Sequence, residues 1–118
     1  MDKITFTLAQ PDKVVKSGIA HAVVLPAVKG NLTVIPERAP CTVLLDNGVV
    51  QILNSENKVV EAYFVKSGIA HIADNSCMVA CEIIINKNGI TKPEAKINLD
   101  EVAHAGDKAF YRMVFESL

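Results

Sequence analysis

The strongest constraint on how this chain folds is the kind of apolar residue it uses and where it places it. Val and Ile number 26 against 8 Leu, and 22 of those 26 lie before position 86. Branched side chains are stiff at χ1 and pack well on a pleated surface, so this balance favours strands over a Leu-rich helical bundle. Half of the 118 residues are hydrophobic, enough to build a core, although aromatics are 5% and Trp is absent. The chain up to the high eighties therefore reads as β-structure, and the remainder as something different.

Turn signals divide the β part into short strands. Ile4, Phe6 and Leu8 alternate with Thr5, Thr7 and Ala9, the pattern of a half-buried strand. Residues 19–25 (IAHAVVL) read as a second strand ending at Pro26, and Lys29-Gly30-Asn31 as a turn before a strand over 32–35. The run Pro36-Glu37-Arg38-Ala39-Pro40 breaks pairing, because proline has no N–H to donate to a ladder. Further strands fit 41–45, 49–53, 58–66, 68–73 and 76–85, separated by Asn-, Asp- and Gly-bearing turns. No long crossover helix interrupts them, which predicts an antiparallel β-sandwich or barrel over residues 1–88. The heptapeptide VKSGIAH occurs twice, at 15–21 and 65–71. It reads as two strand entries that each use glycine to bend.

After Gly89 the character changes. Residues 90–97 form a linker around Pro93, and Asn98 suits an N-cap with Glu101 three positions on. Leu99, Val102, Ala103, Phe110, Met113 and Val114 then follow helical spacing on one stripe. A helix over 99–116 would be roughly 27 Å long. It is too short to stand alone and must dock its stripe. The second unit is thus 89–118, a linker and a short C-terminal α-helical tail, and the fold class is mainly β.

Chemistry is mostly excluded. A net charge of -1 argues against a broad electrostatic grip on nucleic acid. No apolar run approaches the roughly 20 residues of a membrane span, and the first ten residues carry no signal-peptide core, so a soluble cytoplasmic chain is expected. A hydrolytic site would pair Cys41 or Ser17 with His21 or His71 and an acid such as Asp46, but no nucleophile motif surrounds them. Cys77 and Cys81 lie about 13 Å apart on a strand, too far to share a zinc ion, and read as core residues. No glycine loop for phosphate is present, so no cofactor or metal is expected. Elimination leaves a binding or structural domain.

An ordered set of features points further. Gly18 precedes an alternating strand, and Gly30 precedes a strand that ends at Pro36. Ala39-Pro40, Gly48-Val49-Val50, Ser67-Gly68 and Asn75 follow at matching spacing. Over about residues 3–82 the chain resembles the epsilon subunit of the F-type, proton-translocating ATP synthase. The resemblance implies a sandwich of about ten short strands followed by a helical region. It implies a non-catalytic subunit of the rotor's central stalk, bound to the gamma subunit and resting on the ring of c subunits. Membrane association would then be peripheral, through the complex, at the cytoplasmic face of the bacterial inner membrane. By the same matching, Lys29, Gly30, Asn31, Arg38, Ala39 and Pro40 are candidates for ring contact. Cys41, Thr42, Val43 and Leu44 are candidates for gamma contact.

The departures from the family pattern are informative. Asn31 stands where an acidic residue is frequent, and Glu37-Arg38 where Gly-His is frequent. Arg38 brings a forked donor that a neutral histidine lacks. Many bacterial members bind ATP through a motif written I/L-D-x-x-R-A. Leu99 and Asp100 match it, but Ala103 replaces the arginine and His104 the alanine, which predicts weak or absent ATP binding. Only one helix fits the shortened tail, where the family typically has two, so little inhibition of hydrolysis is expected. The alternative is a free-standing β-sandwich binding module for a small ligand or a cytosolic protein.

Overall fold

The computed structural model describes residues 3–87 and 105–116. Eight strands run in chain order: β1 (Ile4–Gln10), β2 (Lys13–Ala20), β3 (Ala22–Ala27), β4 (Gly30–Val34), β5 (Cys41–Leu45), β6 (Gly48–Leu53), β7 (Val59–Ala73) and β8 (Ser76–Asn86). One helix, α1 (Ala105–Glu116), follows.

The pairing resolves into two layers that share the two long strands. In layer one the order is β2-β1-β8-β7-β5, using residues 76–80 of β8 against β1 and residues 68–72 of β7 against β5. In layer two it is β4-β3-β6-β7-β8, using residues 59–65 of β7 against β6 and residues 84–86 of β8 against β7. Eight strands therefore supply five segments to each layer, which accounts for the ten expected. Alternation then sorts the side chains. Ile4, Phe6 and Leu8 from layer one meet Val23, Leu25, Val34, Val50, Ile52 and Tyr63 from layer two, all nearly inaccessible.

Four details differ from the sequence expectation. The segments 58–66 and 68–73 are one 15-residue strand, β7, rather than two. Ser67-Gly68 is not a break, because the Asn47 side-chain oxygen accepts the Ser67 N–H at 2.9 Å where β7 changes partner from β6 to β5. The run 19–25 is not one strand. It divides at His21, whose N–H donates to the Leu53 carbonyl at 3.0 Å and carries the chain from layer one to layer two. The strand expected to begin at residue 19 begins instead at Lys13, and this earlier part pairs with β1 along its length. Finally, β1 and β8 pair in parallel rather than antiparallel, a contact between residues some 70 positions apart.

The helix lies on the outer face of layer two. Phe110 and Val114 bury themselves against Phe64 of β7, with Val49, Ile83, Ile85, Met113 and Phe115 around them. Phe110 and Tyr111 pack edge to face at 5.2 Å, and the Lys87 ammonium sits 5.9 Å above the Phe64 ring. The described helix begins at Ala105, so the expected start at Asn98 and the residues Leu99, Asp100, Glu101, Ala103 and His104 lie outside the described residues.

Candidate functional site

The outer face of layer one is the feature most in need of a function. Strand alternation turns Thr5, Thr7 and Ala9 outward from β1, since their neighbours fill the core. Register carries this across the layer. One row reads Leu44, Ile69, Ala80, Ala9, Val14 from β5 to β2, each the direct partner of the next. The adjacent row reads Thr42, His71, Met78, Thr7, Ser17, and beyond it Thr5 pairs with Ile19. Leu44 is 66% exposed, Ile69 43%, Met78 51% and Ile19 68%. Single exposed apolar residues need no explanation, but a contiguous row across five strands does.

This face is also almost without charge. Among the residues of these rows the one ionisable side chain is His71, whose Nδ1 lies 3.1 Å from the Thr42 hydroxyl. Glu82 stands at the margin, held by Lys66 at 3.1 Å. The matching outer face of layer two is covered by α1, whereas no described residue covers this one.

The sequence candidates fall around this face in different ways. Of the four gamma candidates, Thr42 and Leu44 point outward, while Cys41 and Val43 pack against the core. Gly30, the first residue of β4 just after the turn at 28–29, has φ 121°, a conformation that glycine adopts without penalty. Lys29 and Asn31 beside it are exposed, as are Arg38, Ala39 and Pro40 of the corner. The corner is anchored by the Glu37 N–H, which donates to the Asn75 side-chain oxygen from the β7–β8 turn. Turn and corner thus sit at the two ends of β4, about 13 Å apart at 3.3 Å per residue. They belong to one surface only along the exposed edge of β4, where Val28 and Ile35 add apolar exposure. Lys29 also shares a shallow groove of about 290 Å³ with Val28, Thr42 and Leu44, so the turn adjoins the uncharged face.

Sequence reasoning missed Val14, Ile19, Ile69, His71 and Met78 as members of the face. Their alternation was visible, but which side of each strand faces the second layer depends on pairing.

The geometry separates the residues of a hydrolytic site. Cys41 and His71 lie on adjacent strands but on opposite faces, because Cys41 is registered with the inward Ile72. Asp46 instead accepts the Asn47 N–H within its own turn at 2.8 Å. Cys77 and Cys81 are buried in the core, and burial raises both thiols to about 11. Among the described residues, no three His, Cys, Asp or Glu side chains converge as metal ligands. No described helix is long and apolar enough to cross a membrane.

Fold and face together define a β-sandwich with a docked helix on one layer and an apolar outer face on the other that no described residue covers. The family described as "ATP synthase, Delta/Epsilon chain, beta-sandwich domain" matches residues 3–87. The chain belongs to this family. It is 34% identical over 106 residues to the ATP synthase epsilon chain of Nostoc punctiforme, covering 90% of this chain and 72% of that one. It is 28% identical over 109 residues to the epsilon chain of Gluconacetobacter diazotrophicus, covering 92% and 77%. Among solved structures, a chain of the Euglena gracilis mitochondrial ATP synthase (OSCP/F1/c-ring) superposes with a TM-score of 0.69 at 17% identity, covering 98% of this chain and 77% of that one. A chain of the Tetrahymena thermophila mitochondrial ATP synthase central stalk and c-ring gives 0.62 at 13% identity, covering 97% and 95%.

Proposed function

We propose that the chain is a non-catalytic rotor subunit of the F-type ATP synthase, with the gamma subunit docked on the uncharged outer face of layer one. That face carries the reading. It is broad, apolar and left open by the chain's own helix, as a protein interface requires. The family supports it, as do the central-stalk and c-ring assemblies that contain the structural neighbours. Thr42 and Leu44 keep their place as gamma contacts and are joined by Ile69, Met78 and Val14. The ring of c subunits lies along the edge of β4, where Lys29, Gly30 and Asn31 at one end and Arg38, Ala39 and Pro40 at the other can both reach it. The sandwich, residues 1–88, is the unit that couples the ring to gamma, and the segment 89–118 is a linker and a shortened helical region whose inhibition of hydrolysis is reduced or absent. The site of action is the cytoplasmic face of the membrane, reached through the complex. Nucleotide binding by the tail is weak or absent, since Ala103 and His104 stand in the motif's Arg and Ala positions.

Co-expression with the cognate gamma subunit tests the docking face. The full chain is expected to co-purify with gamma. Ile69→Asp and Met78→Asp each bury an unpaired carboxylate and are expected to weaken the complex at least about a hundredfold. Thr33→Asp, exposed on β4, is expected to leave it intact. Retention of gamma by both face variants at wild-type strength would refute the assignment.

A further inference from the structure

We infer that His71 is the specificity and proton-sensing residue of the docking face, and that gamma binds only while its imidazole is neutral. The inference rests on the docking reading above and adds the chemistry of the partner surface. His71 stands in the second row between Thr42 of β5 and Met78 of β8, its direct partners on either side. Leu44 and Ile69 fill the neighbouring row. Within these rows it is the one group that can both orient a hydrogen bond and take a charge. Thr42 ties its Nδ1, and among the described residues Nε2 has no partner, so Nε2 is the atom offered to the docked surface.

The surroundings decide the sign. On β5 the outward residues are Thr42 and Leu44, on β1 Thr5, Thr7 and Ala9, and on β2 Val14, Ser17 and Ile19, none of them charged. On β8 the nearest charge is Glu82, four residues from Met78 and engaged with Lys66. Asp74 in the β7–β8 turn and Glu37 and Arg38 in the corner stand beyond the strand end, exposed to solvent. No carboxylate on these strands therefore faces His71 closely enough to compensate an imidazolium once water is removed. Docking an apolar surface over a charged ring leaves a desolvated charge, whereas the neutral ring is tolerated. The partner surface follows from this: apolar, uncharged, and carrying one neutral hydrogen-bonding group, an amide or a backbone group, opposite Nε2.

Because binding favours the deprotonated ring, it is complete above the range in which imidazoles titrate and is lost as pH falls through it. Affinity at pH 5.5 is expected to be about tenfold below that at pH 7.5. The test is the affinity of the full chain for its cognate gamma subunit between pH 5.5 and 7.5, for the wild type and for His71→Gln. Glutamine keeps hydrogen-bonding capacity and cannot titrate. The wild type is expected to show the tenfold loss and His71→Gln less than a twofold change. An affinity in the wild type that is flat or rises toward acid pH overturns the inference while leaving the docking face standing. The same acid loss in His71→Gln overturns it too, by placing the titrating group elsewhere. Absence of a complex at every pH fells both readings.

Discussion

Gly18 and Gly68 hold the same place in the repeated heptapeptide, yet they meet different neighbours. A Cβ on Gly68 would fall 2.1 Å from the Ala80 carbonyl oxygen and 2.9 Å from the Cys81 Cα, both backbone atoms of a strand paired on either side. A Cβ on Gly18 would meet only the edge of the Phe6 ring at 3.3 Å. Backbone in a ladder cannot retreat, whereas a ring can shift by a few tenths of an ångström. Overpacking a core costs about 1–3 kcal/mol and occasionally more. Gly68→Ala is therefore expected to lose about 3 kcal/mol or more, and Gly18→Ala about 1 kcal/mol, in urea unfolding monitored by circular dichroism. Equal losses would show that the two copies are packed alike. The heptapeptide was legible as two strand entries with a bend. In both copies the Ile faces out and the Ala faces in, with Ile19 and Ile69 exposed and Ala20 and Ala70 buried. What the residues alone could not show is that one copy stands at an edge and the other in the middle of both layers.

At the scale of elements, the helix and the sandwich are held by separate clusters. Phe64, Phe110 and Val114 form a small core of their own on the outside of layer two. The main core lies between the layers. A 12-residue helix has no stability alone, so α1 persists only while those side chains stay buried. Phe110→Ala removes a fully buried ring, a change that costs about 3–5 kcal/mol in well-packed cores. The expected outcome is release of the helix without unfolding of the strands. Amide hydrogen exchange should then collapse in residues 105–116 and stay near wild type in β1 and β8. An equal fall in both regions would mean one cooperative unit. The elements themselves were largely legible, because alternation, turns and the late apolar stripe are local signals. The misread boundaries have non-local causes. Nothing near Ser67 announces that Asn47, 20 residues earlier, will hold it in a continuous strand. Nothing near His21 announces Leu53. The parallel pairing of β1 with β8 joins the first strand to the last and leaves no mark on either. The docking face shared this fate, since alternation offers two sides and only the second layer chooses between them.

For the whole molecule, the titratable groups in the interior decide over which pH range the scaffold stays intact. Burial raises the Cys77 thiol from 9.0 to about 11, with a smaller push from Cys41, and burial alone raises Cys81 to about 11. Tyr63 is raised from 10.0 to about 12, first by burial and then by the hydrogen bond it donates to Glu61 at 3.0 Å. Glu61 also meets Lys16 of β2 at 3.7 Å, a link between the two layers. For all three interior groups the fold favours the protonated form. The unfolded chain therefore releases protons first as pH rises, and stability must fall wherever it does so. The stabilisation is complete below about pH 9, declines as the unfolded thiols ionise, and is lost through about 11 for the cysteines and 12 for Tyr63. Urea unfolding should accordingly give a constant free energy between pH 7 and 8.5 and a steady fall above 9. In the Cys77→Ala, Cys81→Ala double variant the fall should begin only above 10, where Tyr63 alone remains. Stability that rises through pH 9–11, or a double variant with the wild-type slope, would contradict this account. None of these interior groups titrates on the acid side of neutrality. A loss of the partner between pH 7.5 and 5.5 in a chain that keeps its unfolding free energy would thus report on the docking face and not on the core behind it.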